Sequence, residues 1–170
     1  MLKASPAIIE NAVRFNMEAD SLNCSILGPD ATPETEEFKL FIKEVSREMT
    51  IKAGQKCTAI RRIIVPEILT QEVINAVSAR LKTNVLGDPS TEGVRMGPLA
   101  SAEQVKDVKE KVVALLQTCE VAYGDFKQFD VLGADKNKGY FLPSMLLHSK
   151  KPFDKSGAHS IEAFGPVSTV

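Results

Sequence analysis

The chain has 170 residues, 44% of them hydrophobic and 25% charged, with a formal net charge of −1. That length suits one domain with a proper core, and the balanced charge offers neither a basic surface for nucleic acid nor a cationic face for a membrane. No apolar run approaches the length of a bilayer span, and Cys24, Cys57 and Cys119 are an odd number of thiols at wide spacing, which fits a reduced, cytoplasmic protein rather than a disulfide framework.

Ser5-Pro6 reads as an N-cap with proline at the first helical position, opening a short helix through Ile8, Ile9 and Val13. Arg14 to Ala19 reads as extended. Leu22 to Leu27 is a short apolar-rich run stopped by Gly28-Pro29-Asp30, the pattern of a strand and turn. Thr32 is placed to cap, and Pro33 to begin, a helix in which Phe38, Phe41, Ile42, Val45 and Met49 recur every three or four residues until Gly54.

Ile60 to Val65 is β-branched, ends at Pro66 and reads as a buried strand. A third helix carries Leu69, Val73, Ile74, Val77 and Leu81 on one face. Leu86-Gly87-Asp88-Pro89 and Met96-Gly97-Pro98 frame a loop, after which Ser101 and Gln104 have capping-box spacing. Val105, Val108, Val112, Leu115 and Leu116 line the helix that follows. Glu120 to Tyr123 and Tyr140 to Leu147 are strand candidates, and Glu162 to Val167 is a turn leading into apolar residues. Strands alternating with long helices predict an α/β fold, a three-layer helix–sheet–helix domain with a mostly parallel sheet.

The chemistry centres on Ala53-Gly54-Gln55-Lys56-Cys57-Thr58. Here a cysteine follows a helix-ending glycine and precedes a strand, so a loop at an element boundary would both hold and expose the best side-chain nucleophile near neutral pH. A lone cysteine is more often a structural thiol. Lys52 and Lys56 are near enough in sequence to favour the thiolate. Cys24 and Cys119 fall on apolar runs and read as core. Arg61 and Arg62 could attract phosphate, but an arginine pair at a strand edge reads first as solvated. His148 and His159 lack the spacing and neighbours of a metal site. Gln55 reads as a loop residue whose amide satisfies local backbone.

The Cys57 run resembles the active-site segment Gly-Gln-x-Cys of the aldehyde dehydrogenase superfamily, and further segments match that pattern in order. Leu86-Gly87-Asp88-Pro89 with Met96-Gly97-Pro98 resembles the family's Gly-Asp/Asn-Pro … Gly-Pro loop, Tyr140-Phe141-Leu142-Pro143 its Gly-Tyr-Phe strand, and Glu162-Ala163-Phe164-Gly165-Pro166-Val167 its Glu-Ile-Phe-Gly-Pro-Val segment. Arg14 to Asn23, which departs from the usual Glu-Leu-Gly-Gly-Lys, and Arg47-Glu48-Met49-Thr50 leading into the Cys57 run are most similar to one branch. That branch is the dehydrogenase domain of the bifunctional oxepin-CoA hydrolase and semialdehyde dehydrogenase of phenylacetate degradation.

The resemblance implies that Cys57 is the nucleophile, forming a thiohemiacetal and then a thioester, with its own N–H as an oxyanion donor whose loss costs about 3–4 kcal/mol. It implies Glu18 as the general base that hydrolyses the thioester, Glu162 on the hydroxyls of the nicotinamide ribose and Phe164 against the nicotinamide ring. The plainer readings are a solvated acid for Glu18, an exposed acid for Glu162 and a core phenylalanine for Phe164. The cofactor implied is NADP or NAD, the substrate a small aldehyde, CoA-linked in the branch named, and the parent a homo-oligomer. No dinucleotide fingerprint is present, and the family's cofactor domain lies mostly before the glutamate. The chain is therefore expected to be a catalytic-domain fragment, inactive by itself. Two alternatives stand beside this expectation: a CoA-acylating aldehyde dehydrogenase, and a non-catalytic interaction or thiol-sensing domain.

Overall fold

A computed structural model of the chain describes residues 4–16, 18, 21–154 and 156–170. Helix α1 (Pro6–Glu10) stops before Val13, buries no residue and takes no side-chain cap from Ser5. The expected extended run from Arg14 includes Met17 and Ala19, which lie outside the described residues. Strand β1 is Cys24–Ile26.

Helix α2 (Glu36–Thr50) is capped by Thr35, whose hydroxyl accepts the Phe38 N–H, and not by Thr32. Thr32 serves the turn before it: its carbonyl accepts both the N–H and the hydroxyl of Thr35. Phe38, Ile42, Val45 and Met49 form the buried stripe of α2, as the spacing predicts.

The helix ends at Thr50 rather than at Gly54. A 3₁₀ turn (Ile51–Gly54) follows in which Lys52, Ala53 and Gly54 all have left-handed φ, at 52°, 51° and 69°. Beyond it lie β2 (Arg62–Ile64), α3 (Thr70–Lys82), α4 (Ala102–Leu115), β3 (Glu120–Tyr123), β4 (Met145–His148) and β5 (Val167–Thr169). Of the Tyr140–Leu147 candidate only the last three residues join a strand, although Phe141 and Leu142 are buried. The apolar content there reflects burial of an irregular segment, which periodicity cannot separate from a buried strand.

The sheet order is β1-β2-β5-β4-β3. β1–β2, β2–β5 and β5–β4 are parallel and β4–β3 is antiparallel. Alternation along β4 shows the layering: Leu146 packs with the apolar stripes of α2 and α3, while Met145 and Leu147 pack with Val108, Val112 and Leu115 of α4. Successive strand residues face opposite ways, so α2 and α3 cover one face and α4 the other. This is the expected three-layer α/β architecture with a mostly parallel sheet. Cys24, however, is exposed on edge strand β1, and Cys119 is half-buried beside the α4 core.

The turn after α2 determines where residue 57 can stand. A Cβ on Gly54 would lie 2.1 Å from the Gly165 carbonyl oxygen, at a backbone φ of +69°. Gly54→Ala therefore combines left-handed strain with a backbone clash, and it should cost about 3 kcal/mol or more. Urea denaturation of the folded chain measures this; a loss below about 1 kcal/mol would mean that the two segments separate easily.

Candidate active site

The Cys57 turn is held through carbonyls. The Cys57 carbonyl accepts the Ser21 hydroxyl at 2.7 Å and the Asn23 amide at 2.5 Å, while the same Asn23 amide reaches the Ala59 carbonyl at 3.2 Å. The Asn23 carbonyl in turn accepts the N–H groups of Arg61 and Arg62. The thiol itself is exposed. Among the described residues the Cys57 N–H donates to no protein acceptor, which leaves it available to a ligand oxygen.

Gln55, two residues earlier, donates from its amide to the Lys52 carbonyl and accepts the Ala100 N–H at 2.8 Å. It thus does what the sequence suggests and also ties the turn to the loop before α4. Lys56 does not face the thiol as a free cation, for its Nζ is 2.7 Å from Glu48 of α2.

Beneath the turn lies Arg61, which is 4% exposed. The expectation of a solvated arginine fails here for a reason visible in the strand period: Arg61 has the parity of Ile63, the buried residue of β2. Its Nε meets Glu162 Oε1 at 3.2 Å, Nη1 donates to the Gly165 carbonyl at 2.7 Å and Nη2 to the Gly54 carbonyl at 2.7 Å. Its guanidinium also sits over the Phe164 ring, 5.4 Å from the centroid. Burial pushes the Arg61 pKa below the ordinary guanidinium value, and the hydrogen bond and charge of Glu162 oppose that shift. Arg62 faces the other way, bonded to the Leu22 carbonyl and 3.4 Å from His159.

Glu162 is therefore not an exposed acid. Its side chain is 6% exposed; Oε2 accepts the Ser21 N–H at 2.9 Å, and the Ser21 hydroxyl lies 3.3 Å from Oε1. That hydroxyl has one proton, so the 2.7 Å bond to Cys57 is the stronger donation and the contact to Glu162 the weaker. Oε2 retains acceptor capacity beyond the one Ser21 bond, so the carboxylate fits a role in binding a sugar hydroxyl. Phe164 is half-buried, and its carbonyl accepts the Gln104 amide at 2.8 Å. Ser101 does cap α4 by accepting the Gln104 N–H, but the Gln104 side chain serves Phe164 rather than completing a capping box.

Glu18 shares no hydrogen bond with this cluster among the described residues. It is exposed, and Asn16 donates to it at 3.3 Å. Cys57, Glu162 and Phe164 are thus brought together; the sequence reading gave Arg61 and Gln104 other roles and assigned none to the side chains of Ser21 and Asn23. No group of three metal-ligating side chains occurs among the described residues, and none of their helices is long and apolar enough to cross a membrane.

An exposed cysteine on a pinned turn is linked through one serine to a buried carboxylate, on a three-layer α/β scaffold. The aldehyde dehydrogenase family model matches residues 4–170, and the chain belongs to that family. It is 44% identical over 169 residues to the 3,4-dehydroadipyl-CoA semialdehyde dehydrogenase of Aromatoleum evansii, covering 99% of this chain and 33% of that protein. It is 24% identical over 161 residues to the hydroxyisobutyraldehyde dehydrogenase of Mycolicibacterium austroafricanum, covering 95% of this chain and 30% of that protein. The crystal structure of betaine aldehyde dehydrogenase from Staphylococcus aureus with NAD+ superposes with a TM-score of 0.80 at 24% identity, covering 95% of this chain and 30% of the other. That likeness is one of fold. The chain spans about a third of the length of these relatives.

The Arg61–Glu162 pair is buried at both ends, so removing one partner strands the other. Glu162→Ala should destabilise the chain by about 3–5 kcal/mol, with Glu162→Gln less severe because the amide oxygen still accepts from Arg61. Equilibrium urea unfolding of both variants checks the order. Equal, small losses for the two would mean that water reaches Arg61 and compensates it.

Proposed function

We propose that this chain is the catalytic segment of a longer NAD(P)-dependent aldehyde dehydrogenase that oxidises an aldehyde to the acid. The observation that carries the reading is the exposed Cys57 thiol on a turn pinned through its own carbonyl, with its N–H unengaged among the described residues. The Cys57 thiolate adds to the aldehyde carbon, and the Cys57 N–H faces the oxygen that gains charge. Glu162 would hold the nicotinamide ribose through the capacity left on its carboxylate, and Phe164 would bound the ring. A nicotinamide bound there would supply hydride acceptance, and Cys57 would then carry the acyl group as a thioester. Glu18 then takes a proton from the water that attacks the thioester, releasing the acid and restoring the thiol.

The 44% relative, named for a CoA-linked semialdehyde, supports a CoA-linked semialdehyde of aromatic catabolism as substrate. The branch resemblance supports the phenylacetate route and NADP over NAD, the family resemblance a homo-oligomeric parent, and the odd, widely spaced thiols a cytoplasmic location.

In the intact protein, Cys57→Ala should lower aldehyde oxidation about a thousandfold or more. Glu18→Gln should permit one round of hydride transfer and then leave an acyl adduct on Cys57, detectable as added mass. Free acid as the product supports hydrolysis, whereas an acyl-CoA product would replace it with the CoA-acylating alternative. Undiminished turnover by Cys57→Ala would overturn the assignment of the nucleophile.

A further inference from the structure

The site described above is assembled by a side chain that has no place in the chemistry. Arg61 bonds to Gly54, three residues before Cys57, and to Gly165 and Glu162 in a segment more than a hundred residues away. The Gly54 carbonyl already accepts the Lys56 N–H, and the Gly165 carbonyl the Val167 N–H. With Arg61 added, each carbonyl oxygen has two donors and is fully used. The two backbones are so close that no Cβ fits at residue 54. One planar fork therefore fixes the separation of the nucleophile's turn from the segment that carries Glu162 and Phe164. A lysine cannot reproduce this, because an ammonium is a point donor and the guanidinium fork meets partners in set directions.

We propose that Arg61 is a positioning residue that sets the Cys57 turn and the Glu162 segment as one rigid unit. Its importance for turnover rests on the dehydrogenase reading; the clamp itself does not.

The test is amide hydrogen exchange on this chain, comparing the native sequence with Arg61→Lys and, as control, Cys57→Ala. Arg61→Lys keeps a cation facing Glu162 but gives up the fork. Exchange in peptides covering residues 52–59 should accelerate about tenfold or more, with less than about a threefold change in α2, α3, β3 and β4. Cys57→Ala should exchange as the native chain does, since its thiol takes no part in the clamp. Uniform acceleration throughout, or failure of Arg61→Lys to fold, would make Arg61 a general support and overturn the proposal. An unchanged 52–59 segment would overturn it as well.

In the intact protein the same Arg61→Lys change should lower kcat about tenfold while the KM for the nicotinamide cofactor stays within about threefold, because Glu162 retains a cationic partner. A native kcat in a variant with fast local exchange would mean that rigidity of the turn is not used, and it would overturn the functional half of the proposal. These results are separable from failure of the dehydrogenase reading, since that reading fails if Cys57→Ala remains active whatever the exchange shows.

Discussion

A guanidinium is kept out of water only where a charge and several acceptors are already in place, and at Arg61 those acceptors come from segments far apart in the chain, Gly54 on one side and Glu162 and Gly165 on the other. Gly54 and Gly165 present their carbonyls to the same plane, and Glu162 closes the third side. Removing the arginine would leave a buried carboxylate unpaired and two carbonyls short of a donor, a larger penalty than the net strength of any of these bonds. The unusual backbone around it follows from that demand. Lys52, Ala53 and Gly54 run left-handed, and two of those residues carry a Cβ that disfavours this region. The strain persists because the chain must turn sharply after α2 to bring the Gly54 carbonyl down to Arg61 while leaving residue 57 outside.

The same constraint explains where the site lies on the sheet. In open α/β sheets ligands generally sit beyond the carboxyl ends of the strands. Here Asn23 precedes β1, Arg61 precedes β2 and Gly165 precedes β5, so the polar cluster gathers at the amino ends of three parallel strands. The hydrogen-bond pattern is continuous with the sheet: Asn23 accepts the N–H groups of Arg61 and Arg62, and the Arg61 carbonyl accepts the Thr169 N–H. Through Asn23 the Cys57 turn is thus joined to the start of the β1–β2 ladder, beside the Arg61 fork that ties it to the Glu162 segment.

What could be read from the sequence, and what could not, divides along the range of the interactions. The stripes of α2, α3 and α4 were legible because burial repeats at helical spacing. The position of Cys57 on a turn between a helix and a strand was legible from Gly54 and the β-branched run. Choices between similar neighbours were less so. Thr32 and Thr35 are both fit to cap, and the structure decides by giving Thr35 both roles, donor to the turn and acceptor for the helix. Gln104 sits where a capping box wants it, yet a carbonyl 60 positions away in sequence takes its amide. Arg61 was the largest misreading, taken as solvated because its three partners are scattered along the chain, although the parity it shares with Ile63 pointed inward. Cys24 reads as core by its neighbours and is exposed because β1 is an edge strand.

On the proposed chemistry, the residues divide into two mechanical classes. Cys57 and Glu162 share Ser21, whose hydroxyl donates to the carbonyl of one and whose N–H donates to the carboxylate of the other. A shift of either is therefore felt by its partner, as hydride transfer requires when thiol, aldehyde carbon and nicotinamide must be aligned within tenths of an ångström. Glu18 has no such tie among the described residues; it is exposed and accepts one bond from nearby Asn16. On that reading the nucleophile and the carboxylate of Glu162 are mechanically coupled through Ser21, while the base is joined to neither by a hydrogen bond among the described residues.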